Sequence, residues 1–509
     1  MKKNALILSL IVSLALPCFA GDNNLRTMFL NNQTTIMGIN IRTFNAKDTN
    51  GNEIIDQDEE SGNFINAIER LDEIKGLGIN TLHLLPITSI GKLKALGTAG
   101  SLYALADFEN LNEQLADKNS ALPIKEQAKL FINECHKRGI RVIIDLPSCG
   151  AYDLYLKHPE LFTKDDKNIS IVPTDWTDVR LLNAGNNEKL NADVMNVHKK
   201  FIDMVLALGA DGIRADVATI KPYKFWEELI KYTREKDSEF LFLAEASDSW
   251  REPPSKYAEF TPYNELLKAG FDGYYGSFFN LKDWSGEDFI EHLKFNNKLL
   301  KSYSEPKSVI LSFTTHDEVS PVILHGTEFS VMIAWLDATL PYNPYSIDGF
   351  AYGDKYIYPW ANNKAEYTET DDDFYFVHRG KLDIFNFSRK PGVNINNTIR
   401  DNFKKAYNFR AENIDLITNG SFVNLKTEDK SVFAYELKSE NKKEKIYKKI
   451  IVIGNLDFKN SKNNVVIKDG KLNKKSNFEL IHGDNNITLG KRKLITDLKA
   501  GEIKVIKIK

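Results

Sequence analysis

The sequence predicts a parallel α/β barrel followed by an all-β module, and three observations carry that reading. Helix-period and strand-period segments alternate about eight times between residues 35 and 345. The strands among them are almost wholly apolar, as parallel strands covered on both faces are. From about residue 419 the pattern changes to short alternating runs. Periodicity by itself leaves a doubly wound open sheet as the other arrangement.

Taken in order, residues 35–44 (TIMGINIRTF) read as the first strand, and Ile65, Ile68, Leu71 and Ile74 repeat at helical spacing before the second strand, 80–86. Then come a helix at 125–137 and the strand Arg141–Leu146, a helix at 193–208 and the strand 212–217, the helix Tyr223–Arg234 and the strand 240–246. Later elements are 271–275, a helix at 287–303, a strand at 308–313, and 329–339 leading into 342–345. Two long inserts, 87–120 and 147–190, leave the C-terminal ends of the second and third strands, the face on which barrels of this kind build their sites. Beyond them lie short strands at 422–425, 432–437, 449–455, 464–467, 478–481 and 502–508. The expected division is a barrel at 21–415, with a short inserted subdomain at about 147–190, and an all-β domain at 416–509.

At 509 residues, with 42% hydrophobic and 27% charged residues, the composition is that of a soluble globular protein. A net charge of -3 gives no electrostatic ground for a nucleic acid or an anionic membrane as partner. Lys2 and Lys3, an apolar run at 5–16 and the small Ala20 read as a targeting segment, 1–20, cleaved after Ala20. That run is too short to span a bilayer, so the mature chain is expected to be exported, to the periplasm or the exterior. Cys18 offers a lipid anchor instead, against which Pro17 argues, since such signals use a small residue there. Cys135 falls on the helix stripe Ala128, Phe131, Ile132, Cys135, and Cys149 lies beyond the far end of the next strand; both are expected as free thiols.

The chemistry centres on Asp211 to Ala218, read as a buried strand in which Arg214 and Asp216 share one face. The guanidinium is expected to lower the Asp216 pKa and hold it ionised, as a nucleophile requires; taken alone, such a pair is more often a structural ion pair. Glu245 and Asp317 end two later strands, at the spacing of one and then two βα units of roughly thirty residues each. Three carboxyls would therefore line one mouth of the barrel, with His316 beside Asp317. That set fits glycoside hydrolysis: Asp216 as nucleophile, Glu245, among Leu243, Ala244 and Ala246, as acid/base with a raised pKa, and Asp317 with His316 gripping sugar hydroxyls. A catalytic metal is the weaker alternative, because no His-x-His pair and no HExxH motif is present. Trp176 and Trp250, on loops of the same face, are acceptor platforms or packing anchors.

In these motifs the chain resembles the α-amylase family, glycoside hydrolase family 13. GIRAD (212–216), AEA (244–246) and HD (316–317) match the family's nucleophile, acid/base and transition-state stabiliser in order and spacing, and the likeness extends from LHLLPI (82–87) and RVIIDLP (141–147) to a C-terminal β-sandwich. The resemblance implies an α-glucan or malto-oligosaccharide substrate, a Tyr103 that stacks on the sugar, and an Asp145 that supports the site. Two departures stand out. Cys149 and Gly150 occupy the positions where the family usually carries Asn and His, and Leu181 replaces a common acidic calcium ligand, which together imply no calcium between barrel and insert. A loop with Asp48, Asn50, Asn52, Ile54 and Asp56 resembles the calcium loop after the first strand in oligoglucosidase-like members, so a structural Ca2+ is expected there, with a polar turn as the alternative. Hydrolase is the leading function. A transglycosylase on the same scaffold, or a non-catalytic glycan- or protein-binding member, are the alternatives.

Overall fold

The computed structural model describes residues 24–355 and 395–508, apart from 48, 50–57, 96–100, 174–175, 254, 442–445, 471 and 473–476. The targeting segment with Cys18, and Asp48, Asn50, Asn52, Ile54 and Asp56 of the expected calcium loop, lie outside the described residues. Among those described, no helix is long and apolar enough to cross a membrane.

Among the described residues ten strands precede the C-terminal module: β1 (Ile36–Ile39), β2 (Thr81–Leu84), β3 (Arg141–Leu146), β4 (Cys149–Ala151), β5 (Val179–Leu181), β6 (Gly212–Ala215), β7 (Leu241–Ala244), β8 (Gly273–Tyr274), β9 (Ser308–Leu311) and β10 (Asn343–Ile347). All but β4 and β5 close into a parallel barrel in the order β1-β10-β9-β8-β7-β6-β3-β2. The closed ring excludes the doubly wound alternative. β4 and β5 form a small antiparallel hairpin within the insert after β3.

Strand alternation sorts the barrel. Val142, Ile144, Ile213, Ala215, Phe242 and Ala244 point outward into the core beneath the helices, while Ile36, Ile143, Leu241, Leu243 and Ile310 fill the interior. The helix Leu25–Leu30 closes that interior with Leu25 and Phe29. Gly273 makes room for the plug, since a Cβ there would meet the Phe29 ring at 2.5 Å. Above this apolar layer the inward positions turn polar, with His83, Asp145 and Arg214 all buried.

The C-terminal module packs a five-stranded sheet against a three-stranded one. Its strands are β11 (Ser421–Asn424), β12 (Val432–Asn441), β13 (Ile446–Asn455), β14 (Lys462–Lys468), β15 (Phe478–His482), β16 (Ile487–Gly490), β17 (Lys493–Leu498) and β18 (Ile503–Ile508). The sheets run β11-β12-β13-β18-β15 and β14-β17-β16, with Ile451, Ile453 and Ile506 of one meeting Ile467 and Leu494 of the other. This is the expected sandwich.

Several boundaries differ from the sequence reading. The run 35–44 is a strand only to Ile39, because the Asn40 side chain accepts from the Arg42 amide and starts the short helix Ile41–Phe44. The helix expected from residue 329 begins at Pro321, with a break in helical geometry at His325 and Gly326. Asp216 lies one residue past the end of β6 rather than on it. Cys135 and Cys149 are free and buried, in separate clusters.

Candidate active site

β3 and β6 are neighbours in a register that sets Asp145 opposite Arg214, so the two inward side chains meet at the C-terminal end of the barrel. Arg214 Nη1 donates to both Asp145 oxygens, at 2.8 and 2.9 Å, and to Asp216 Oδ1 at 3.1 Å. Its Nη2 lies 2.8 Å from Glu245 Oε1. One guanidinium thus joins three carboxyls. Exposure rises through the set, from 0% for the Asp145 side chain and 1% for Arg214 to 13% for Asp216, 14% for Glu245 and 29% for Asp317, so the cluster climbs from the barrel interior to its mouth.

Asp145 is the floor. Besides Arg214 it accepts from the Tyr103 hydroxyl at 2.8 Å and faces His83 Nε2 at 3.2 Å. Burial alone would raise its pKa, but Arg214 and His83 outweigh that and hold it below the usual carboxylate range. Burial, opposed by Asp145, lowers the His83 pKa. A neutral His83 therefore donates from Nε2 to Asp145 and accepts at Nδ1 from the Tyr345 hydroxyl at 2.9 Å. Gly38 leaves the space for that hydroxyl, since a Cβ there would sit 2.5 Å from it.

The Tyr103 hydroxyl also lies 2.7 Å from His316 Nε2, with the two rings parallel within 3°. Because this hydroxyl gives its proton to Asp145, it accepts from His316. His316 Nε2 is in turn 3.3 Å from Asp317 Oδ2. All seven residues expected at the site from sequence, Asp216, Glu245, Asp317, Arg214, His316, Tyr103 and Asp145, are therefore connected through one polar network.

One electrostatic expectation is corrected. Burial raises the Asp216 pKa above its ordinary value, and Arg214 only partly offsets this because its charge is shared with Asp145 and Glu245. Glu245 is pushed up to about 8, through burial first, opposed by Arg214, with Asp216 and Asp317 adding repulsion. The two carboxyls, held by one guanidinium, titrate together, and burial raises both. Val217 contributes to holding Glu245 in place. It takes a left-handed backbone, φ 35° and ψ 53°, costly for a β-branched residue, and its amide donates to Glu245 Oε2 at 2.7 Å.

Residues that the sequence reading missed are His83, Tyr345, Ser148 and Lys221. His83 carried a usable signal, being the lone polar residue after Thr81 in the inward phase of β2. Ser148 did not, yet its amide and hydroxyl both reach Asp216 Oδ2, at 3.1 and 2.7 Å. Trp176 packs beside Cys149, Val179 and Leu181, as a packing anchor does, and the Trp250 amide closes a turn onto Ser247 at 3.2 Å. Among the described residues no group of three or more His, Cys, Asp or Glu side chains is placed to hold a metal ion.

No family model matches the chain. An α-amylase of Dictyoglomus thermophilum is 24% identical over 435 residues, covering 78% of this chain and 81% of that protein. An α-1,4-glucan:maltose-1-phosphate maltosyltransferase of Bifidobacterium animalis is 29% identical over 199 residues, and there the match spans 36% of this chain and only 27% of the relative. Among solved structures, a maltogenic α-amylase from Thermotoga neapolitana superposes with a TM-score of 0.68 at 20% identity, over 94% of this chain and 99% of the other, which shows the shared fold. The sequence likeness along most of the chain and the common fold make this chain similar to the α-amylases, with the acids of GIRAD and AEA meeting at Arg214 and that of HD joined to them through His316 and Tyr103.

Proposed function

We propose that the chain is an exported retaining glycosidase that cleaves α-glucosidic bonds in malto-oligosaccharides or α-glucans through a covalent glycosyl-Asp216 intermediate. The observation that carries this is that Asp216 and Glu245 hang on the two ends of one guanidinium, with Glu245 held protonated to about 8. Sharing one anchor favours the short carboxyl separation of roughly 5 Å that retention uses, over the roughly 6.5–9.5 Å that admits a water between the groups.

Glu245 gives its proton to the glycosidic oxygen as the bond to C1 breaks, and an Asp216 oxygen bonds to C1 from the other face. Glu245, now ionised, takes a proton from water, whose oxygen attacks C1 and releases Asp216. Asp317 and His316, at the mouth beside Tyr103, bind sugar hydroxyls and stabilise the charge that develops on the ring. Support also comes from relatives named α-amylase and from the trehalose-6-phosphate hydrolase of Bacillus licheniformis, which shares the fold.

The maltosyltransferase match favours a second reading, in which a sugar hydroxyl in place of water receives the glycosyl group. Chromatography of products from maltoheptaose, with Asp216→Asn alongside, separates the two. Shorter sugars alone mean hydrolysis; longer and shorter sugars together mean transfer. A panel of starch, pullulan, sucrose and trehalose left intact, with wild type and variant alike, favours a glycan- or protein-binding role instead.

A further inference from the structure

The geometry points to Ser148 as a positioning residue that clamps Asp216 from the side opposite Arg214. The inference rests on reading Asp216 as the nucleophile. The segment after β3 is where the family resemblance places Asn and His, at Cys149 and Gly150, and neither position performs their chemistry. Burial pushes the Cys149 thiol up to about 12, among Val179, Leu181 and Ile220. A Cβ on Gly150 would meet the Phe162 ring at 2.7 Å and Leu154 at 3.1 Å, so any side chain here would enter packed apolar space. Ser148, one residue earlier, is what this segment presents to the catalytic acids.

Ser148 is 2% exposed and gives Asp216 Oδ2 two donors, the amide at 3.1 Å and the hydroxyl at 2.7 Å. Arg214 holds the other oxygen, Oδ1, at 3.1 Å. With both oxygens held, the plane of the carboxyl is fixed before substrate arrives, and donors aimed at the charged form favour ionisation against the cost of burial. The clamp is itself braced. Lys221 Nζ, on a residue 2% exposed, donates to the Ser148 carbonyl at 2.9 Å, tying the segment after β3 to the chain that leaves β6 through Asp216. Thr261 Oγ1 in turn donates to the Lys221 carbonyl at 2.8 Å.

The test uses the whole chain and two readouts. The titration of the Asp216 carboxyl is followed by NMR on carboxyl-labelled aspartate, as the difference from Asp216→Asn, which needs no turnover. The pH profile of kcat and KM on maltoheptaose is measured beside it. Ser148→Ala is expected to raise the Asp216 midpoint and the acid limb of the profile by about one pH unit, the scale of one hydrogen bond to a charged group. It lowers kcat about tenfold with little change in KM, because the nucleophile and not the sugar contacts is disturbed. Ser148→Thr, which keeps both donors, restores the midpoint and kcat, and Lys221→Met shifts the midpoint in the same direction as Ser148→Ala. A Ser148→Ala protein that is folded and whose Asp216 titrates as in wild type overturns the proposal, whatever its kcat. A midpoint that moves in a chain turning over no α-glucan supports the clamp and overturns the catalytic reading of Asp216.

Discussion

Replacing Glu245 with glutamine tests the charge arrangement of the site without relying on turnover. The carboxyl ordinarily titrates at 4.5, and in the folded chain it is pushed to about 8 by burial, against the pull of Arg214. Between these values the native state carries a proton that the unfolded chain has lost, so wild-type stability falls as pH rises. The slope is about 1.4 kcal/mol per pH unit for one proton. From pH 5 to pH 8 the loss reaches about 4 kcal/mol as an upper figure, because Asp216 shares the titration. Glu245→Gln has no such proton. Its amide pays a fixed cost beside Arg214 and the Val217 amide, but that cost does not vary with pH. Stability of variant minus wild type should therefore rise by up to about 4 kcal/mol between pH 5 and pH 8, from urea titrations of the barrel's unfolding transition at each pH. A difference that stays constant across this range refutes a protonated Glu245 in the free protein.

Three further outcomes follow from the packing. Gly150→His, which puts back the residue type the family usually carries at this place, should not raise activity and should destabilise the fold by about 1–3 kcal/mol, since its Cβ meets Phe162 at 2.7 Å; a more active and equally stable variant would contradict this. Gly38→Ala forces the Tyr345 hydroxyl away from His83 Nδ1 and should cost about 1–3 kcal/mol in thermal or urea unfolding, with a fall in kcat as the Asp145 floor loosens. Cys135 and Cys149 should both react with a thiol reagent only after unfolding, as both are buried and burial raises both thiols; labelling of the native chain at either residue contradicts the placement.

Where the sequence was informative, the reason was periodicity tied to burial. The helix Tyr223–Arg234 and the strand Arg141–Leu146 match residue for residue, because a helix stripe or a fully covered strand leaves an unbroken apolar signature. The three carboxyls expected at the site were legible for a related reason: a charged residue at the end of an apolar run must face something other than the core. Strand ends were not legible where a local hydrogen bond decides them, as the Asn40 cap does after Ile39. β16 and β17 are absent from the sequence reading, although β17 alternates between exposed and buried positions over Lys493–Leu498. His83 and Tyr345 meet across 262 positions, and no local pattern records such a pairing. The direction of the Asp216 shift is not legible in the sequence, because the one charge of Arg214 is divided among three carboxyls. Ser148 was passed over because counting along the motif pointed to the next two residues, whereas the chain turns there and Ser148 is the one that faces Asp216.

The most direct test of the central claim is to trap the bond that a retaining mechanism requires. A fluorinated α-glucosyl fluoride, whose ring fluorine slows breakdown of the intermediate, would be incubated with the whole chain and the protein then mapped by mass spectrometry. An Asp216 oxygen should bond to C1 as fluoride leaves, giving a single glycosyl adduct on the peptide that contains Asp216, and none in Asp216→Asn. Turnover of α-glucan without any adduct, or an adduct on another carboxyl, would contradict the assignment of Asp216 as the nucleophile.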